Sequence, residues 1–562
     1  MIHHLYRSLI FLSCLLIFGN SAIAQIQAEL ITKPEKTQYT ETSLYQDVMD
    51  FIAAIEVQSE LVHMESMGKS LEGREIPVVV MANPKITTPE EAVASGKPVM
   101  YVQGNIHSGE VEGKEVLQIL MREILLGAKG HLLDNQILVF APIYNTDSND
   151  KMGVQQRRSQ EGSPRETGIR ANSQGWDLNR DGMKMEALET NALIQNVILK
   201  WDPEMLVDLH TTNGTWHGYS LTWAPSYHYA GEKSPYDFTW NRLLPEVTES
   251  VLEKYNVHIG PYGYHNLWEG WPVTAIYTYN HHPRYMVNQM GLRNKIGILS
   301  EAFAHERLYQ RMTSTHAFVS EILEFTNQHA QEMVEINDTA EKAAINLVKT
   351  QAGIAKKGVR FEMVYLENIP KYRSYEYLPI LPDSAEVQNM ESEETGYRRP
   401  SGEVQLVRGM RIIELQNIAN YSGFKATVES TVPRGYLIPA EFGIIAEHLE
   451  KMGVELQQIL EPITAKGEVF VATSFTRSNR LFEGHNLATI EGNFESNTKN
   501  FKPGDYWIDL AQPLANLIFY ALEPQSDDGL LSWNFFDEYF EESGIENSSV
   551  EYPVFKYFSI EK

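Results

Sequence analysis

Along the first two-thirds of the chain, short apolar runs alternate with stretches of helical periodicity. Ile76–Met81, Val99–Gln103, Ile137–Ile143, Met205–Leu209 and Ile296–Leu299 are runs of strand length that read as buried strands. Leu44, Val48, Phe51, Ile52 and Ile55 fall on one face of a helix, with Thr42 or Ser43 as its cap. Val116, Leu117, Ile119, Leu120, Ile124 and Leu125 mark a second helix, and Leu188–Trp201 reads as a third. Gly68-Lys-Ser-Leu-Glu-Gly-Arg74 is a turn feeding Ile76–Met81; Asn145–Asp150 is a polar loop and Lys151–Asn172 a long one. Strands alternating with helices predict an α/β fold, a three-layer sandwich around a mixed, largely parallel twisted sheet. In such sheets ligands bind at the loops outside the strand ends. His107, His210 and Glu301 each follow one of the apolar runs.

A helical stretch over residues 327–357 closes this pattern, and the texture then changes. Val404–Gln416 partly alternates, Thr427–Thr431 is strand-like, and helices are expected at Ile444–Met452 and Leu514–Leu522. The organisation expected is a catalytic domain over 25–357 and a β-rich accessory region over 358–562 packed on it. Residues 1–24 read as a signal peptide. His3, His4 and Arg7 precede the apolar run Leu9–Phe18, and Ala22-Ile-Ala24 offers small residues for cleavage before Gln25. That run is too short for a membrane span of about 20 residues, and no later stretch is long enough. A secreted or periplasmic protein is expected.

Composition narrows the chemistry. A net charge of −27 over 562 residues argues against nucleic acid, whose binding needs Lys and Arg against phosphates. The only cysteine, Cys14, lies in the leader, so the mature chain has no disulfide, no thiolate nucleophile and no Cys-ligated metal. A metal must then use His, Asp and Glu. His107-Ser-Gly-Glu110 presents two zinc-ligand types on one short loop, and His210, 100 residues after Glu110, adds a third at another strand end. Three protein ligands with an open position is the arrangement of a catalytic zinc. Glu301, at a further strand end, could move a proton from water to a leaving amine. In Asp177-Leu-Asn179-Arg180, the Arg fork and Asn amide suit a carboxylate, and Asp177 could accept the second N–H of a metal-bound His.

These pieces resemble, in order, the zinc metallocarboxypeptidases of the carboxypeptidase A and carboxypeptidase E/N superfamily. The matching motifs are Gly68–Arg74, His107-x-x-Glu110, Asn145-Thr-Asp147, Asp177-Leu-Asn179-Arg180, His210 and Glu301, covering roughly residues 40–330. The resemblance implies one zinc ion bound by His107, Glu110 and His210. It implies Glu301 as general base and then acid, Asn179 and Arg180 on a C-terminal carboxylate, and Arg170 on the oxyanion, with Arg157 and Arg158 as rivals. The chain departs from the family where Asn145-Thr-Asp-Ser replaces Asn-Pro-Asp-Gly and where Asp181 follows Asn-Arg. Tyr277, Tyr279 and Tyr285 compete as the tyrosine that caps the substrate, and Arg284 could also bind a carboxylate. The function expected is hydrolysis of C-terminal peptide bonds. The other readings are a zinc amidohydrolase acting on N-acyl amino acids or cell-wall peptides, and a non-catalytic metal-site binding protein.

Overall fold

The apolar runs lie side by side. A computed structural model describes residues 30–265, 271–380, 405–545 and 548–561, so the expected signal peptide lies outside the described residues. An eight-stranded sheet is built from β1 (Val62–Lys69), β2 (Glu75–Met81), β3 (Val99–Gly104), β4 (Ile137–Ala141), β5 (Met205–Thr211), β6 (Leu221–Pro225), β7 (Ile259–Pro261) and β8 (Ile296–Ala302). Their order across the sheet is β1-β2-β4-β3-β5-β8-β6-β7. The inner four, β4-β3-β5-β8, are parallel. β1, β2 and β4 pair antiparallel, as do β8 and β6, so the sheet is mixed, as expected.

Alternation of side chains along each strand sends apolar groups to both faces. Val78, Val80, Tyr101 and Leu206 pack with Leu193 and Val197 on one face. Val79, Met81, Met100 and Val102 pack on the other with helices α1 (Tyr45–Gln58), α2 (Glu112–Leu126) and α3 (Leu308–Gln328). Burying a side chain of this size contributes about 1.5–3 kcal/mol, which is why near-continuous apolar strands lie between two helical layers. Three features differ from the sequence reading. Helix α3 has no counterpart in it, because buried Arg311, Ser314 and Thr315 interrupt the apolar stripe. Asn145–Asp150 is a buried helical turn, Thr146–Asn149, whose first residue is preceded by the capping side chain of Asn145. The stretch from 327 breaks at His329, where helix α4 (Ala330–Gln351) starts, and a strand already opens at Lys356.

Beyond residue 355 the chain is mostly strands. β9 (Lys356–Val364) pairs with β12 (Gly423–Thr431), and β10 (Glu367–Ile380) pairs with β11 (Gln405–Tyr421). β13 (Ile463–Arg477) and β14 (Ala488–Phe501) form a long hairpin in a seven-stranded sheet. Helices Gly443–Lys451 and Ala515–Leu522 fall where expected. Their Ile445, Leu449, Leu517 and Ile518 belong to the same buried cluster as Tyr101 and Leu206, so this region closes one face of the main sheet.

Candidate metal and substrate site

The inner parallel strands bring the candidate residues together. β3 ends at Gly104, Asn105 takes a left-handed φ of 66°, and the chain doubles back into α2. A Cβ on Gly104 would lie 2.9 Å from Lys114 N, so only glycine permits this approach. The reversal presents His107 and Glu110 on a turn closed by Glu110 N–H donating to His107 O at 2.9 Å. On the neighbouring strands, His210 of β5 is the register partner of Glu301 of β8.

The two imidazoles converge on one carboxylate. His107 Nδ1 lies 2.9 Å from Glu110 Oε1, and His210 Nδ1 lies 2.9 Å from Glu110 Oε2. The outer nitrogens are also occupied: His107 Nε2 is 2.9 Å from Asp177 Oδ1, while His210 Nε2 has Asn179 Nδ2 at 3.3 Å and Asp208 Oδ2 at 2.8 Å, the latter an ion-pair contact outside hydrogen-bonding geometry. An imidazole facing a carboxylate at each nitrogen needs a proton on both, or a cation on one side. A proton on each Nε2 leaves both Nδ1 lone pairs aimed at Glu110, the donor set of a metal held by two histidines and a carboxylate, with acids behind the rings. Donor atoms of His107, Glu110 and His210 all lie within 4.8 Å of one another. Glu301 Oε2 is buried beside them without a hydrogen-bond partner.

Burial and charge act against each other here. Burial raises the Glu110 carboxyl, but Arg157 and His107 outweigh it and hold it well below the usual range. Asp177 behaves likewise: burial is overcome by His107, Arg180 and Arg170. Burial would lower His210, yet Asp208 and Glu110 lift it well above an ordinary imidazole. For Glu301 burial wins and pushes its carboxyl up to about 8, against the pull of His210.

A cavity of about 150 Å³ opens over these groups. Arg157, Arg170, Asn179, Arg180, Tyr279 and Tyr285 are on its wall. Arg157 Nη1 stands 2.6 Å from Glu110 Oε1; Arg170 Nη1 stands 3.5 Å from the same oxygen, and its Nε donates to Asp177 Oδ2 at 2.9 Å. Arg180 lies over the Tyr285 ring, 4.5 Å from its centre, and donates to Asn179 O at 2.7 Å. Asn179 Oδ1 accepts Met286 N–H at 3.1 Å.

Some candidates are elsewhere. Arg158 lines a separate surface hollow with Gln155 and Glu161. Tyr277 stacks on Tyr421 and is not on the cavity wall. Arg284 does not reach the cavity. It is bound through Nε to Asp528 Oδ1 at 2.8 Å and lies against Phe482 and Trp533. Asp181 is buried on Lys184 Nζ at 2.6 Å and accepts the N–H groups of Glu186 and Ala187, so it braces the loop behind Arg180. Tyr262, at the end of β7, joins the wall without a sequence signal, since its strand is three residues long. The family motifs at the sheet edge dock on each other: Ser70 Oγ donates to Asp147 Oδ1 at 2.6 Å and Arg74 reaches Asp147 O at 3.1 Å.

Residues 48–283 match the family model described as zinc carboxypeptidase. Through this segment the chain matches the zinc carboxypeptidase family. The activity that goes with it is that of a zinc carboxypeptidase hydrolase, acting on peptides. Carboxypeptidase 2 of Trichophyton rubrum is 20% identical over 505 residues, 89% of this chain and 83% of that protein. Carboxypeptidase 2 of Trichophyton tonsurans is 21% identical over 494 residues, covering 87% and 81%. Among solved structures, a metallo-carboxypeptidase from Burkholderia cenocepacia is similar over 52% of this chain and 71% of its own, with 15% identity and a TM-score of 0.39. The carboxypeptidase A of Helicoverpa armigera covers 52% of this chain and 75% of its own, with 14% identity and a TM-score of 0.38. Among the described residues no helix is long and apolar enough to cross a membrane.

Proposed function

We propose that this zinc carboxypeptidase hydrolyses C-terminal peptide bonds at the cavity above β5 and β8, with one zinc ion held by His107, Glu110 and His210. Such an ion acts as a Lewis acid on a carbonyl and makes water a usable nucleophile near neutral pH. Asp177 orients the His107 imidazole from behind, and Asn179 and Asp208 flank that of His210. Arg180 and Asn179 bind the free carboxylate of the substrate, the guanidinium as a planar two-point donor. Arg170, joined by Arg157, stabilises the charge developing on the scissile carbonyl oxygen. Glu301, whose carboxyl a bound cation would draw down from about 8 into its charged form, accepts a proton from water at Oε2 and passes it to the departing amine. Tyr279 and Tyr285 close the wall around the terminal side chain. Residues 25–357 form the catalytic unit in this reading, and 358–562 brace it. Export with cleavage after Ala24 is the setting that the N-terminal sequence supports.

The observation that carries this reading is the buried, unpartnered Oε2 of Glu301 next to two imidazoles that share one carboxylate. The test is release of C-terminal amino acids from peptides by zinc-loaded wild type and Glu301→Gln, with N-acyl amino acids in parallel. A loss of roughly 10²–10⁴-fold on peptides is expected for the variant. Equal rates would contradict the role of Glu301, and faster turnover of the acylated amino acids would favour an amidohydrolase.

A further inference from the structure

A second group of metal-ligand side chains lies behind the cavity wall, where the loop 278–285 meets the turn 526–529. His281 Nε2 is 3.1 Å from Asp527 Oδ2, and the rings of His281 and His282 have centres 4.9 Å apart. Donor atoms of His281, His282 and Asp527 all lie within 4.8 Å of one another. Two ligands on a tetrahedral ion with bonds of roughly 2.0–2.2 Å stand about 3.3 Å apart, close to the His281–Asp527 separation. His281 is 2% exposed, and its Nδ1 and that of His282 are buried without a hydrogen-bond partner. Two imidazoles and a carboxylate are a donor set suited to zinc.

Neighbouring groups orient Asp527 and neutralise the nearby cations. Asp527 also accepts Phe361 N–H at 2.9 Å and is bonded to the Tyr520 hydroxyl, which orients its carboxylate. The nearest guanidinium, Arg284, is neutralised by Asp528 at 2.5 Å, and Lys357 by Glu232 at 3.2 Å. Phe361 and Phe424 pack against the His281 ring at 4.8 and 5.1 Å and shield one side.

We propose that His281, His282 and Asp527 form a second zinc-type divalent-cation site that pins the loop 278–285 to the C-terminal region. That loop carries Tyr279 and Tyr285, both on the wall of the catalytic cavity. An ion here would be structural, holding two wall residues in place by tying the segment between them.

Elemental analysis of the full chain, loaded with zinc and dialysed into metal-free buffer, tests this. Wild type is expected to retain two zinc ions per chain, His107→Ala one, His282→Gln one, and the double variant none. Equal zinc in wild type and folded His282→Gln overturns the proposal. Should His282→Gln fail to fold, His107→Ala alone decides: one remaining ion supports the second site, and none overturns it.

Discussion

Glu483 accepts the backbone N–H of Asp177 at 2.9 Å, joining residues 306 positions apart. Asp177 in turn holds His107 and Arg170. The tip of the hairpin between β13 and β14 thus supports the strand-end motif from outside the segment that matches the family. Trp176 packs over Gly484 at the same place, where a Cβ would come within 2.5 Å of the indole. The C-terminal region contributes to the site by fixing its second layer of residues.

Glu483→Ala removes a charged acceptor from a half-buried amide. A stability loss of about 1 kcal/mol is expected, together with a fall in kcat/KM of up to roughly tenfold as Asp177 loosens. Urea unfolding and peptide kinetics on the same preparation check both. An unchanged kcat/KM would show that the hairpin does not act on Asp177.

Arg180 is expected to read a free carboxylate. Arg180→Ala should lower kcat/KM by roughly 10–100-fold on peptides with a free C-terminus, the worth of a charge-assisted hydrogen bond of about 1.5–3 kcal/mol. Peptides amidated at the C-terminus should be poor substrates for wild type and should lose little more in the variant. Equal losses on both substrates would place the carboxylate elsewhere.

A pH dependence of stability follows from His485, whose Nε2 is 3.0 Å from Glu186 Oε1. The hydrogen bond that His485 donates to Glu186 raises it above its ordinary 6.5. Its contribution is complete below pH 6.5 and is lost as pH rises through the raised value. Glu186, which burial would raise, is brought to about 2 by His485 and Lys184. Its contribution is complete above its ordinary 4.5 and fades as pH falls towards 2. The contact is therefore strongest between 4.5 and 6.5. Both groups are partly open to solvent, so the pair contributes under about 1 kcal/mol. Melting temperatures of wild type and His485→Gln should differ in that window and converge above it. A constant difference across pH would rule out this ion pair as the cause.

Much of the site was legible because its groups sit at the ends of apolar strands. Val99–Gln103, Met205–Leu209 and Ile296–Leu299 are buried on both faces, so their sequences are continuous apolar runs, and the residue after each run marks a strand end. What escaped the sequence depends on partners far along the chain. Arg284 resembles a substrate-binding Arg until Asp528 is seen to neutralise it. Arg157 and Arg158 are adjacent in a loop without periodicity, and only folding turns the first to Glu110 and the second to a surface hollow. Glu483 has no local signal at all, because its partner is a backbone amide. Helix α3 was hidden by its buried polar residues, such as Arg311, which pairs with Glu112 at 3.3 Å.

The most direct test of the account is an anomalous difference map at the zinc edge from crystals of the zinc-loaded protein. It should show a peak bonded to His107 Nδ1, Glu110 and His210 Nδ1 at roughly 2.0–2.2 Å, with Glu301 facing the open side. A zinc-replete crystal with no peak among these three residues would contradict it.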